Sequence, residues 1–484
     1  MAKADNAFLQ SFYQQLIDKP LEPDDKLYVP LYEKGATSPS DPVNELQATI
    51  EWSPIESAQL FSGFRGTGKS TELRRLKAQL EQASQEQGGT RVVLCDMQEY
   101  LNLTTPIDVS DFLLAVAGAF GDELAKDKEL LGEDVIREGY WTRFVNFLTR
   151  TKVELSSIGF GSGIEASAGV GDPSTPANAG TPRLGGKIAT DIKLNLKEDP
   201  SFRQKLQERL KGHLGALVKD VHKFFGDCIV AIRRKHGENT RVVLLLDSVE
   251  QIRGTSVNAR EVAASLETLF VGHSGVLKIP YMHVVYTVPP WLKIKAPGVA
   301  GLYSGCQLIP CVKVCDRKGK RYKFGLDGLE QIVAKRGDWR RLLGNDRAVL
   351  DELLLASGGY LRDLFRILQH ILRLTRNDPL PASEDVRKLA LDEVRNSYLP
   401  LSHEDVLWLQ RISGSGHTEL DGEAKLHDLA RFYDTHLVLT YRNGDEWVAV
   451  HPLIAETVAE QAKRIAQLTP TGPAGVREPT APKQ

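Results

Sequence analysis

The chain has 484 residues, of which 42% are hydrophobic and 26% charged, with a formal net charge of −2. This composition describes a folded protein of roughly three domains with a sizeable core, and it gives no overall basic field for nucleic acid. No apolar run approaches the roughly 20 residues of a spanning helix, and "MAKADNAFLQSF" lacks a basic-then-apolar signal pattern, so no membrane span and a cytoplasmic location are expected.

The five cysteines lie in apolar surroundings, as in "VVLCDM" around Cys95 and "LIPCVKVCD" around Cys311 and Cys315. That usage fits reduced thiols better than a disulfide framework. The spacing of Cys306, Cys311 and Cys315 matches no common zinc pattern and no histidine adjoins, so core cysteines are expected there.

Residues 1–40 form an N-terminal extension too short for an enzyme domain. Over roughly the first two thirds of the chain, apolar strand-like runs alternate with helical ones, the pattern of an α/β domain with a parallel sheet. The strands expected are "QLFSG", "TRVVLCDM", "RVVLLLD", "YMHVVYT" and "QLIPCVKV", several of them apolar throughout, as strands covered on both faces are. This sheet domain is expected over residues 41–316.

Residues 151–197 interrupt the alternation with a stretch rich in Gly, Ser, Ala and Pro. Its alternating ends, "KVELSSIGFGSGIEA" and "KIATDIKLNLK", read as an inserted hairpin with a loose tip, a surface decoration unless it docks a partner or a membrane. After "DPS" one long helix is expected, with Leu206, Leu210, Leu214, Leu217, Val221 and Phe225 on its core face.

Beyond the last strand the pattern is helical, giving a lid domain over residues 317–398. Helices and a hairpin around "RNGDE" then predict a C-terminal winged-helix domain over residues 399–465, with Asn443-Gly444 as its tight-turn signal. The tail, residues 466–484, cannot build a core and is expected to be disordered.

The most specific signal is "GFRGTGKS", Gly63-x-x-x-x-Gly68-Lys69-Ser70, which follows an expected strand and opens an expected helix. Gly63, Gly66 and Gly68 let successive N–H groups face phosphates, with Thr67 inside the curl; Lys69 reaches the outer phosphates and the Ser70 hydroxyl ligates Mg²⁺. Thr71 is expected near the inner phosphate. ATP and ADP are the expected ligands, and "KLYVPLYE" in the extension is placed over the adenine.

Such a loop needs a carboxylate at the end of an apolar strand to hold the Mg²⁺ water shell, and "RVVLLLDSVEQI" supplies Asp247. Ser248 occupies the position where a second carboxylate would be the stronger signature. Glu250 is therefore either the group that polarises an attacking water or a cap on the following helix. Thr287, at the end of "YMHVVYT", either contacts the γ-phosphate or attacking water or simply ends a strand.

The ordered series of phosphate loop, acidic strand, polar-ended strand and helical lid resembles the AAA+ and STAND branch of P-loop NTPases, over roughly Asp41 to Val458. The resemblance implies a sheet in the order 5-1-4-3-2 followed by a lid. In "SGGYLRDLFRIL", Gly358 and Gly359 stand before Arg362, which is similar to the nucleotide-sensing lid arginine of origin-recognition initiators. His451-Pro452-Leu453 resembles the motif that contacts the ADP β-phosphate in STAND switches, although a structural histidine at a helix start gives the same pattern. One departure stands out: between Arg260 and Arg317 the chain has no arginine, leaving only Lys293 and Lys295 as cations between Thr287 and the last strand. Fast ring-type hydrolysis therefore lacks its usual finger unless Arg317, Arg340 or Arg341 serves.

The function expected is a slowly hydrolysing, nucleotide-controlled ATPase switch of bacterial signalling or anti-phage defence, with a separately encoded protein effector and a possible homo-oligomer. The alternative is a DNA-bound AAA+ ATPase similar to replication initiators or transposition regulators. Against it, "DGEAKLHDLARFYD" carries as many acids as bases, a poor match to duplex phosphates. A third possibility, a hydrolysis-dead nucleotide protein, is disfavoured by intact Lys69, Ser70 and Asp247.

Overall fold

The computed structural model describes residues 6–32, 40–83, 89–127, 130, 197–210, 212–418, 426–443 and 445–468. The hairpin insertion expected at 151–197, save its last residue, and the tail beyond 468 lie outside the described residues. Two compact units divide the chain: a sheet unit, Asp18–Pro310 with Gly422–Asp434, and a helical unit, Met1–Ile17 with Cys311–Asp421 and Thr435–Gln484.

Helix α1 (Asn6–Gln15) belongs to the helical unit. In the sheet unit, α2 (Pro42–Trp52) starts on Asp41, whose side chain accepts from the Val43 N–H, with Pro42 in the first turn where no N–H is missed. It leads to β1 (Ser57–Gly63), the glycine loop and α3 (Lys69–Ala83), then β2 (Thr90–Asp96) and α4 (Val109–Lys126). Next come α5 (Pro200–Leu210) and α6 (Leu214–His236). These two replace the single long helix expected from the Leu206–Phe225 stripe. Gly212 stands between them at φ 87, a left-handed conformation that no regular helix continues through.

The unit closes with β3 (Arg241–Asp247), α7 (Ala259–Glu267), β4 (His283–Val288), the short α8 (Leu292–Lys295) and β5 (Gly305–Ile309). The five strands are all parallel, in the order β2-β3-β4-β1-β5, so β1 lies between β4 and β5. This is the 5-1-4-3-2 order of a P-loop NTPase core, and the fold class is α/β. Val242 to Leu246 are fully buried, which explains a strand with no polar alternation. The last strand is shorter than "QLIPCVKV": it stops at Ile309, because Pro310 has no N–H to continue the ladder.

The helical unit continues with α9 (Lys323–Arg336), α10 (Trp339–Leu343), α11 (Arg347–Ala356), α12 (Leu361–Leu374), α13 (Glu384–Asn396) and α14 (His403–Ser415). Between α11 and α12, Gly359 has φ 72 and its backbone runs so close to Val312 that a Cβ would lie 1.8 Å from the Val312 carbonyl oxygen. Only glycine fits there. Helix α15 (Leu426–Asp434) falls in the sheet unit. The antiparallel pair β6 (Val438–Asn443) and β7 (Asp445–Val450) and then α16 (Pro452–Leu468) return to the helical unit. The expected helices and hairpin are present, but the helix just before the hairpin packs with the sheet. Among the described residues no helix is long and apolar enough to cross a membrane.

Candidate nucleotide site

The glycine loop leaves the carboxyl end of β1, the position where a parallel α/β sheet opens a crevice for ligands. Gly66 and Gly68 have φ 85 and 96, and a Cβ on Gly63 would come 2.9 Å from the Ile309 carbonyl oxygen on β5. The loop braces itself on one oxygen. The Phe64 carbonyl accepts from the Thr67 hydroxyl at 2.8 Å, the Thr67 N–H at 3.3 Å and the Lys69 ammonium at 2.8 Å.

Lys69, at the start of α3, is 3% exposed; its Nζ also donates to the Gly63 carbonyl at 2.9 Å and lies 3.1 Å from Glu250 Oε1. Glu250 sits in a short 3-10 turn after β3, and its Oε2 is buried without a hydrogen-bond partner among the described residues. Asp247 ends β3, with Ser70 near it. Burial pushes its carboxyl up to about 6, helped by the Glu250 charge and opposed by Ser70, the Ser248 N–H and Lys69. Ser248 has φ 68 and its N–H turns back onto Asp247 Oδ1 at 2.8 Å. A non-glycine residue in this conformation stores strain beside the candidate site.

Thr287 is fully buried on β4. Its hydroxyl donates to the Leu246 carbonyl at 3.0 Å and accepts the Val249 N–H at 3.0 Å. One side chain thus spans the turn that carries Asp247 and Glu250.

A serine hydroxyl and a buried carboxylate are hard oxygen donors. They fit Mg²⁺, which keeps several waters and takes other ligands from phosphate. Among the described residues no group of three or more His, Cys, Asp or Glu side chains is arranged for a metal ion.

Residues 18–32 of the extension lie against the loop and α3. Thr71 Oγ1 accepts the Leu21 N–H at 3.1 Å, the Tyr28 hydroxyl donates to Glu72 at 3.3 Å, and the Tyr32 hydroxyl reaches the Thr67 and Pro310 carbonyls at 3.5 and 3.3 Å. Beneath them Arg75 forms a fork on Asp41, both bonds 2.7 Å, and donates through Nε to Glu72 at 2.6 Å. Burial pushes the Glu72 carboxyl up to about 7 against the pull of Arg75.

Arg362 and His451 lie in the helical unit. Arg362 opens α12, half-buried. His451 is fully buried: Nδ1 accepts the Leu453 N–H at 3.2 Å, which leaves the ring proton on Nε2. That nitrogen is 3.3 Å from Asp363 Oδ2, at ion-pair distance though off the line of a good hydrogen bond. Asp363 also accepts from the Tyr398 hydroxyl and from Arg366. Burial alone would raise its carboxyl, but His451, Tyr398 and Arg366 outweigh that and hold it below the ordinary range.

Two contacts were not foreseen from the sequence. Tyr433 of α15 stacks on Phe64 of the glycine loop at 5.5 Å, and the Trp291 indole N–H donates to Asp434 Oδ1 at 3.0 Å. The only sequence signal was an aromatic side chain, Phe64, inside a glycine-rich loop. Lys295, one of the two cations left where a finger would stand, is paired with Glu267 at 3.2 Å.

No family model and no curated protein matches the chain. Among solved structures, it is similar to the ADP form of the Aeropyrum pernix ORC2 protein at 12% identity and a TM-score of 0.39, covering 94% of this chain and 97% of that one. The ADPNP-ADP complexes of the same protein align at 13% identity and 0.37, covering 94% and 98%. Drosophila ORC bound to DNA aligns at 12% identity and 0.38, covering 96% and 94%. At such low scores, the fold assignment rests on the strand order and the loop themselves.

Proposed function

We propose that the chain binds ATP and ADP with Mg²⁺ at the Gly63–Ser70 loop and works as a slowly hydrolysing, nucleotide-controlled switch. The observation that carries this is the glycine loop at the end of the central strand β1, with Asp247 at the end of β3 and Ser70 near enough to lower its carboxyl. When bound, Mg²⁺ neutralises charge that builds up on the phosphates. Lys69 binds phosphate oxygen, Ser70 and Asp247 orient the cation's water shell, and Thr287 holds the turn that presents Asp247 and Glu250. Slow turnover agrees with the absence of arginine between Arg260 and Arg317 and with a Lys295 already paired to Glu267.

The Tyr433 to Phe64 stack supports a switch over an engine, since it ties a helix distant in sequence to the loop that receives the phosphates. A signalling or defence setting with a separate effector, and roles for Arg362 and His451 at the nucleotide, extend the sequence resemblance. A DNA-bound ATPase is the alternative. Against it, "DGEAKLHDLARFYD" carries at least as many acids as bases, a poor match to duplex phosphates.

Calorimetric titration of ATP and ADP into the wild type and Lys69→Ala tests the site. Binding lost in the variant is expected; binding kept at the wild-type level contradicts it. Hydrogen exchange with ADP against a non-hydrolysable ATP analogue tests the switch. Protection over residues 426–434 is expected to differ, and identical protection leaves only a binding protein.

A further inference from the structure

We propose, on the basis that the loop binds nucleotide, that Glu250 stands in for a phosphate oxygen at Lys69 and that nucleotide enters by displacing it. An ammonium has three protons, and Lys69 Nζ has three oxygen neighbours: it donates to the Gly63 and Phe64 carbonyls at 2.9 and 2.8 Å and is ion-paired with Glu250 Oε1 at 3.1 Å. A phosphate oxygen reaching Lys69 must take the place of one of them. Two are backbone atoms of the loop itself, held by its curl. Glu250 is the exception, a side chain on a separate element with rotatable bonds.

The replaced group also matches the incoming one chemically. Carboxylate and phosphate are both anionic oxygen acceptors, and a buried site cannot keep the two beside a single ammonium without strong like-charge repulsion. Lys69 and Glu250 are 3% and 5% exposed at their side chains, so water screens little of that repulsion. Glu250 holds Lys69 through one oxygen only. Oε2 is buried and unpartnered among the described residues, an arrangement that makes the pair easier to part than a two-oxygen bridge.

Two consequences follow. Glu250 weakens nucleotide affinity by competition, even for ADP, on which no hydrolysis occurs. Its carboxylate also becomes available beside the phosphates only after Lys69 has been claimed, so the chain without nucleotide keeps this group out of use.

The test titrates ADP with Mg²⁺ into the full chain as wild type, Glu250→Gln and Glu250→Asp, with thermal melts to verify folding. Glu250→Gln keeps the shape and removes the charge. Glu250→Asp keeps the charge but withdraws it from Lys69 by one methylene. The latch predicts that both bind ADP about tenfold more tightly than wild type. Unchanged or weaker binding by Glu250→Asp overturns it, and a gain confined to Glu250→Gln then reports general charge repulsion. If the wild type binds no ADP, the nucleotide site itself is wrong and the latch falls with it.

Discussion

Tyr433 lies stacked on Phe64, ring centroids 5.5 Å apart and planes 22° from parallel, and so joins α15 to the glycine loop. The Phe64 carbonyl is also a Lys69 acceptor, so one residue faces both the loop lysine and the helix. Tyr433 is 4% exposed. Tyr433→Ala should destabilise the sheet unit by about 3 kcal/mol and raise hydrogen exchange across residues 426–434. Denaturant unfolding checks the first, and unchanged exchange would show that α15 is held by other contacts.

Thr287 invites a comparison of two substitutions. Its one hydroxyl proton is committed to the Leu246 carbonyl, so the chain uses Thr287 to position the Asp247 turn. Thr287→Val should lower turnover at least tenfold while leaving the ratio of ATP to ADP affinity within about twofold, and Thr287→Ser should recover most of the loss. A changed affinity ratio would instead mark a direct γ-phosphate contact.

Asp434 gives a pH dependence with a definite sign. Burial pushes its carboxyl up to about 7, although the Trp291 N–H and Arg253 pull the other way. The folded value lies above the unfolded one, near 4, so the folded state holds the proton more tightly. Stability from this group is present at low pH and falls as pH rises through about 7. Asp434→Asn, whose amide oxygen can still accept from Trp291, should flatten the fall in melting temperature between pH 5 and pH 8. Equal slopes in variant and wild type would place the effect elsewhere.

In the helical unit the sign reverses. Asp363 is held below its ordinary range, so its contribution is present above that range and is lost on acidification. His451→Ala takes a buried polar neighbour away from the Asp363 carboxylate and should cost about 2 kcal/mol. If the histidine also holds nucleotide, the folded variant should release ADP faster; equal off-rates would leave His451 a packing residue beside Asp363.

The sheet was readable because β1, β3 and β4 are buried on both faces and the loop glycines fall at a fixed spacing after a strand. The place of Asp247 at the end of β3 was readable for the same reason, since it closes an apolar run. Other features depend on distant partners. Nothing near Tyr433 announces Phe64, hundreds of residues earlier, and the hairpin after α15 gave no sign that this helix groups with the sheet. The commitment of the Thr287 hydroxyl and the capture of Lys69 by Glu250 need side-chain geometry that no spacing encodes. The long stripe from Leu206 to Phe225 kept its apolar face, but Gly212 at φ 87 broke the helix, and periodicity is silent about backbone conformation.

The most direct measurement is the nucleotide content of gently purified protein, denatured and chromatographed, together with the release rate of any nucleotide found. The switch predicts near-stoichiometric ADP that leaves slowly and is missing from Lys69→Ala. A wild-type protein that carries no nucleotide, and exchanges added ADP rapidly, would contradict it and point to a freely cycling ATPase.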